Sequence, residues 1–185
     1  MADVTITLPD GSIRRVPSGT TVGDLAQSIS PGLAKAALAG RVGDRLVDLS
    51  HPLTADAPLQ IITSKNAADA LPLYRHSTAH LLAAAVTNLF PTVQCGIGPP
   101  TDEGFFYDFV VPRPFVPEDL DAIEQKMREL AAQDLPFERQ LWPRDEARRF
   151  FRERGEPLKV QLIDEKTEGQ SEVSCYTIKD KETFV

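Results

Sequence analysis

The alternation Val4-Thr5-Ile6-Thr7-Leu8, interrupted by Pro9-Asp10-Gly11-Ser12 and resumed over residues 13–16, constrains this chain more than any other stretch. Period-two alternation suits a half-buried strand, and a Pro-Asp-Gly-Ser cluster is turn chemistry, so the segment reads as a β-hairpin. Thr20 or Thr21 can then cap a helix that carries Val22, Leu25, Ala26 and Ile29 and that Pro31 stops. The small apolar residues Leu33, Ala34, Ala36, Ala37 and Leu38 follow, and after Gly40 come Arg41-Val42, the turn Gly43-Asp44, Leu46-Val47 and a last strand over 59–62.

Hairpin, helix, then short strands is the order of a ubiquitin-like β-grasp fold. Residues 64–70 are polar and small without apolar periodicity, which reads as a linker or the lead into a second domain and sets a domain boundary near residue 65: one domain over 1–63, a second over 64–185. The second mixes helices and strands, giving an α+β chain. Residues 76–90 place Ala79, Leu82, Ala83, Val86 and Phe90 on one helical face ended by Pro91. The loop Gly96-Ile97-Gly98-Pro99-Pro100 and an aromatic strand over 105–111 follow. Pro117-Glu118-Asp119 opens a helix with the core stripe Leu120, Ile123, Met127 and Leu130. A strand over 137–142 precedes a helix from Pro143 that Gly155 closes, and a last strand covers 173–178. Between them Leu158, Val160 and Leu162 alternate with Lys159, Gln161 and Ile163, a strand-like pattern that points Lys159 away from the leucines.

Charge narrows the functions open to such a chain. At -7 it is a poor match for a protein that grips a nucleic-acid backbone over its whole surface, so any RNA contact must be local. The one basic concentration, Arg139, Arg144, Arg148, Arg149, Arg152, Arg154 and Lys159, is interleaved with Asp145, Glu146, Glu153 and Glu156 and reads as a solvated helix face. Cys95 and Cys175 are too far apart for a CxxC pair, which favours a reducing setting and two small buried side chains. No stretch approaches the roughly 20 apolar residues that span a bilayer, and no basic segment precedes an apolar run at the N-terminus. The expectation is a soluble, cytoplasmic protein without membrane contact.

Three features can carry chemistry. His76-Ser77-Thr78-Ala79-His80 sets two imidazoles one helical turn apart near the start of a helix, where both can converge on one water or ion. As a metal site it is half of one at most, since catalytic zinc takes three protein ligands, and no metal is assigned. Gly104-Phe105-Phe106-Tyr107-Asp108 is ordinarily a half-buried strand, but Tyr107 could offer a hydroxyl to a ribose or an amino acid. Lys159 ordinarily snorkels to solvent; facing the histidines, it could hold a phosphate or an oxyanion.

Taken together, the segment from His76 to Ala85 and the segment Ile97-Gly98-Pro99-Pro100-Thr101-Asp102-Glu103-Gly104-Phe105-Phe106-Tyr107-Asp108 resemble the editing domain shared by threonyl- and alanyl-tRNA synthetases. Glu146-Ala147-Arg148 through Gly155-Glu156-Pro157-Leu158-Lys159 is similar to the same domain further on. The β-grasp unit in front resembles the TGS domain, and that order is similar to the bacterial-type threonyl-tRNA synthetases. The resemblance implies that His76, His80 and Lys159 are catalytic, that Tyr107 binds substrate, and that the partner is the acceptor end of mischarged seryl-tRNA, whose ester is hydrolysed by water. It also implies that this part needs no cofactor, ATP and zinc serving a downstream catalytic domain of a homodimeric parent enzyme. The second half of the family's site, a Cys-x-x-x-His within Asp-x-Cys-Arg-Gly-Pro-His, would begin just past Phe184-Val185, and Cys175, with no His after it, does not replace it. The expectation is therefore an N-terminal fragment whose editing domain is incomplete.

Other readings predict different behaviour. A non-catalytic fragment would bind the acceptor end without releasing serine. A TGS-type RNA-binding or regulatory module would use the first domain, but no G-x-x-x-x-G-K-S/T phosphate loop is present for a GTPase. A free-standing editing protein of the alanyl type does not account for the β-grasp unit.

Overall fold

A computed structural model of the chain describes residues 2–178 and, for the backbone, strand 182–184. The chain divides into two compact units, Met1–Tyr74 and Arg75–Val185. Among the described residues no helix is long and apolar enough to cross a membrane.

In the first unit β1 (Asp3–Thr7) and β2 (Ile13–Pro17) form the antiparallel hairpin, with Val4 opposite Val16 and Ile6 opposite Arg14. Helix α1 (Val22–Ile29) begins at Thr21, whose hydroxyl accepts from the Asp24 amide at 3.1 Å while the Asp24 carboxylate accepts from the Thr21 amide at 3.2 Å. This reciprocal cap satisfies two of the free donors of the first turn. Ser30 then caps the short α2 (Pro31–Ala36), so Pro31 both ends one helix and opens the next. Strands β3 (Ala37–Val42), β4 (Arg45–Val47) and β5 (Ala57–Thr63) complete a five-stranded sheet of order β2-β1-β5-β3-β4, with β1 and β5 parallel. This is the β-grasp arrangement read from the sequence.

The core of this unit is Val4, Ile6, Val22, Leu25, Leu53 and Leu59, where α1 lies on the sheet. Gly40 of β3 is the point of closest approach, because a Cβ there would sit 2.7 Å from Val22 Cγ1 and 3.1 Å from Leu59 Cδ1. Helix α3 (Ala67–Leu89) starts inside the stretch read as a linker or the lead into a second domain, and runs through Pro72. Its first turn is fixed by partners distant in sequence, the ion pair of Arg41 with Asp69, which no local periodicity records. The two histidines accordingly lie well inside a helix rather than near its start.

The second unit takes the rest of α3, then β6 (Gln94–Cys95), β7 (Phe109–Val110), α4 (Pro117–Ala132), β8 (Phe137–Pro143), α5 (Arg144–Glu153), α6 (Pro157–Lys166), β9 (Glu172–Ile178) and β10 (Glu182–Phe184). The strands make a three-stranded antiparallel sheet, β10-β9-β8, and the short pair β6-β7. Ala79, Ala83, Ala85 and Val86 are fully buried along α3, and small side chains there let α3 pack closely with Ile123, Leu130 and Ile178. A second cluster, Ala147, Phe151, Ile163, Val173 and Cys175, joins α5, α6 and β9.

Further expectations need correction. The segment 158–163 is helical, not extended: Pro157 takes the first turn of α6, and the 3.6-residue period sets Lys159 and Ile163 together on its buried face. The aromatic strand over 105–111 shrinks to Phe109–Val110 and one bridge at Phe105, because residues 96–98 pack against 107–108 as a loop. Leu120 is 57% exposed and outside the core, although Ile123 and Leu130 are in it. Val185, after which the family's remaining segment was expected, lies outside the described residues. The basic stretch is partly internal, with Arg144 and Arg148 both paired to Asp164.

Gly40→Val is expected to lower the stability of the first unit by about 1–3 kcal/mol, as overpacking does. Urea unfolding followed by amide exchange of the α1 and β3 residues checks it; unchanged protection there contradicts the close approach.

Candidate active site

Helix α3 presents His76 and His80 on one face. Their Nε2 atoms are 3.0 Å apart, with ring centroids at 4.6 Å and planes at 37°. Two imidazole nitrogens at that distance need one N–H between them, so one ring donates and the other accepts with its lone pair. His80 is buried at 6% exposure and His76 is half-buried. Burial, then the positive charges of His76 and Lys159, hold His80 down to about 3, and burial alone lowers His76.

Beside the pair stands a buried amine. Lys159, 2% exposed, donates to the Gly96 carbonyl at 3.0 Å and to the Tyr107 hydroxyl at 3.0 Å. Burial lowers its pKa, with Cys95 and Glu156 opposing. Burial, helped by Cys95 and Glu156, raises the Tyr107 phenol well above its ordinary range, so the hydroxyl keeps its proton. The Tyr107 ring stacks on Phe109 at 4.9 Å and 19°. Gly98 also lies against this ring, where a Cβ would fall 2.1 Å from Tyr107 Cδ2; only glycine lets the loop approach so closely.

The structure thus brings His76 to His80 and Lys159 to Tyr107, and the Lys159 charge reaches His80. Lys159 does not snorkel; it is spent on a carbonyl and a phenol. Residues that sequence reasoning left out of the site are Gly96, Gly98, Cys95, Phe137 and Tyr176. Tyr176 of β9 lies 5.6 Å from the His80 ring and 5.8 Å from the His76 ring, and Phe137 lies 6.5 Å from His80. The Gly-x-Gly spacing at 96–98 was the available signal for the loop; the aromatic contacts are tertiary and leave none.

Among the described residues no group of three or more His, Cys, Asp or Glu side chains could hold a metal ion. The two imidazoles, engaged with each other, supply fewer donors than a catalytic zinc takes. A separate cavity of about 210 Å³, lined by Leu89, Phe90, Val93, Val111, Arg113 and Phe115, lies more than two helical turns beyond His80. Arg113 is committed there to Asp119 at 2.6 Å, and no acid–base pair opens into it.

Fold and site together define a chain with a β-grasp domain ahead of an α+β domain that carries a histidine pair, one ring buried and one half-buried. Residues 4–63 belong to the TGS domain family. Over almost its whole length the chain is a relative of the bacterial threonine–tRNA ligases. It is 51% identical over 173 residues to that of Thiobacillus denitrificans, covering 94% of this chain and 27% of the relative. It is 56% identical over 171 residues to that of Verminephrobacter eiseniae, 92% of this chain and 26% of the relative. To that of Methylococcus capsulatus it is 53% identical over 175 residues, 95% and 27%. The chain therefore spans about a quarter of the length of the curated relatives it matches.

The depressed His80 has a stability consequence. Below pH 6.5 an unfolded histidine takes up a proton that folded His80 refuses until about pH 3. The unfolded chain then binds more protons, so stability drops as the pH is lowered, by about 1.4 kcal/mol per pH unit once well inside that window. Urea midpoints between pH 7.5 and 5 should drop more steeply for the native chain than for His80→Gln; parallel profiles contradict the burial of a neutral imidazole.

Proposed function

We propose that the second unit is the proofreading site of a threonine–tRNA ligase and hydrolyses seryl-tRNA(Thr) by attack of water on the aminoacyl ester. The observation that carries the reading is the His76–His80 contact at 3.0 Å on a half-open helix face, in a chain more than half identical to proteins of that name. A site shaped for threonine gains only about 1–3 kcal/mol from the methyl that serine lacks, so a second site must remove the error.

Unequal burial divides the work between the two rings. His76, half-buried and the less perturbed, is the base that takes a proton from water as its oxygen attacks the carbonyl carbon. His80, neutral throughout the working range, orients His76 through the Nε2 contact. The tetrahedral oxyanion collapses, the ribose oxygen leaves and takes up the proton, and serine and tRNA are released. Tyr107 offers its protonated hydroxyl to the ribose or the amino acid, and Lys159 holds that hydroxyl and lends positive charge to the oxyanion from behind it. The TGS unit and the ATP- and zinc-dependent ligation belong, in this reading, to the same larger, dimeric cytoplasmic enzyme.

His76→Ala and His80→Ala should each cut serine release from seryl-tRNA(Thr) by about a hundredfold or more with the circular dichroism spectrum unchanged. Release at the native rate in both variants contradicts the reading. Retention of seryl-tRNA by the native chain with no release above buffer supports the binding-only alternative instead.

A further inference from the structure

The strand pair β8-β9 shows one face to the histidines. Arg139 is registered directly opposite Tyr176, so the two side chains share a face. Tyr176 touches both imidazole rings, edge-on to His76 at 67° and tilted by 30° over His80. Phe137, two residues before Arg139 and therefore on the same face, reaches His80. The neighbours Gln140 and Trp142 bond to each other at 2.9 Å on the opposite face, together with Glu138. On β8 the face turned to the histidines reads Phe137, Arg139, Leu141, Pro143, with a single charge. Arg139 is exposed, and among the described residues it enters no ion pair.

We propose that the cross-strand pair Arg139–Tyr176 is the substrate-positioning wall of the histidine site, the Tyr176 ring holding both imidazoles in place and the Arg139 guanidinium binding a backbone phosphate of the polynucleotide end that carries the ester. This rests on the proofreading reading, in which a nucleic-acid terminus must enter beside His76. The geometry asks for such a contact: Lys159 is buried and committed to Gly96 and Tyr107, which leaves the cation for an incoming phosphate to come from the exposed side of the pair. A planar guanidinium suits that task. Tyr176 acts through the rings it packs on and is a positioning residue.

Arg139→Gln should raise KM for seryl-tRNA(Thr) about tenfold with kcat unchanged. It should also flatten the slope of log affinity against log salt by about 1 for uncharged tRNA. Tyr176→Leu should lower kcat with little change in KM and remove the ring-current shifts that Tyr176 imposes on the His76 and His80 ring protons, whereas Tyr176→Phe should retain both properties. Unchanged KM and salt slope in Arg139→Gln, or loss in Tyr176→Phe equal to that in Tyr176→Leu, overturns the assignment. Affinity for uncharged tRNA and the proton shifts are read without turnover. A chain that releases no serine sinks the proofreading reading, while these two measurements still decide the wall.

Discussion

The hydrogen bonds from Lys159 to the Gly96 carbonyl and the Tyr107 hydroxyl are the constraint on which the second unit turns. They tie the first turn of α6 to segments 63 and 52 residues earlier in the chain. An ammonium group taken out of water is costly unless its protons find acceptors, so the loop at 96–98 and the Tyr107 ring are held wherever α6 folds. The absence of a side chain at Gly98 lets that ring lie flat, and Phe109 stacks behind it. Next to this polar contact His80 is held down to about 3, by its burial first and then by the charges of His76 and Lys159.

Burial then grades the site. Along one face of α3 exposure falls from His76 to His80 within a single turn, and burial lowers the pKa of both rings, that of His80 to about 3. The contact between their Nε2 atoms makes the pair a unit rather than two independent bases. The aromatic side of the site, Tyr176 and Phe137, comes from strands β9 and β8, which follow α3 across the intervening helix α4, so the two walls depend on independent pieces of tertiary structure.

What the sequence disclosed follows the range of the interactions. The hairpin, the Thr21 cap and the Pro117 helix start were legible because turn and capping chemistry is local. The histidine pair was legible because spacing four on a helix fixes a shared face. The segment at 158–163 misled because alternating Leu, Val and Leu fits period two as well as a short helix does, and only Pro157 marked it as helical. The onset of α3 was hidden because Asp69 is held by Arg41, a partner 28 residues away, across a proline that argues against a helix. Tyr176, Gly98 and the buried state of Lys159 are consequences of packing alone.

In the proofreading reading the ester end of a charged tRNA meets the His76–His80 pair. The most direct measurement titrates the chain with a serylated 3′-terminal adenosine whose ester is replaced by an amide, while the imidazole resonances are followed. Saturable shifts of His76 and His80 with His51 unmoved are expected. Binding that leaves both resonances in place while others shift contradicts it.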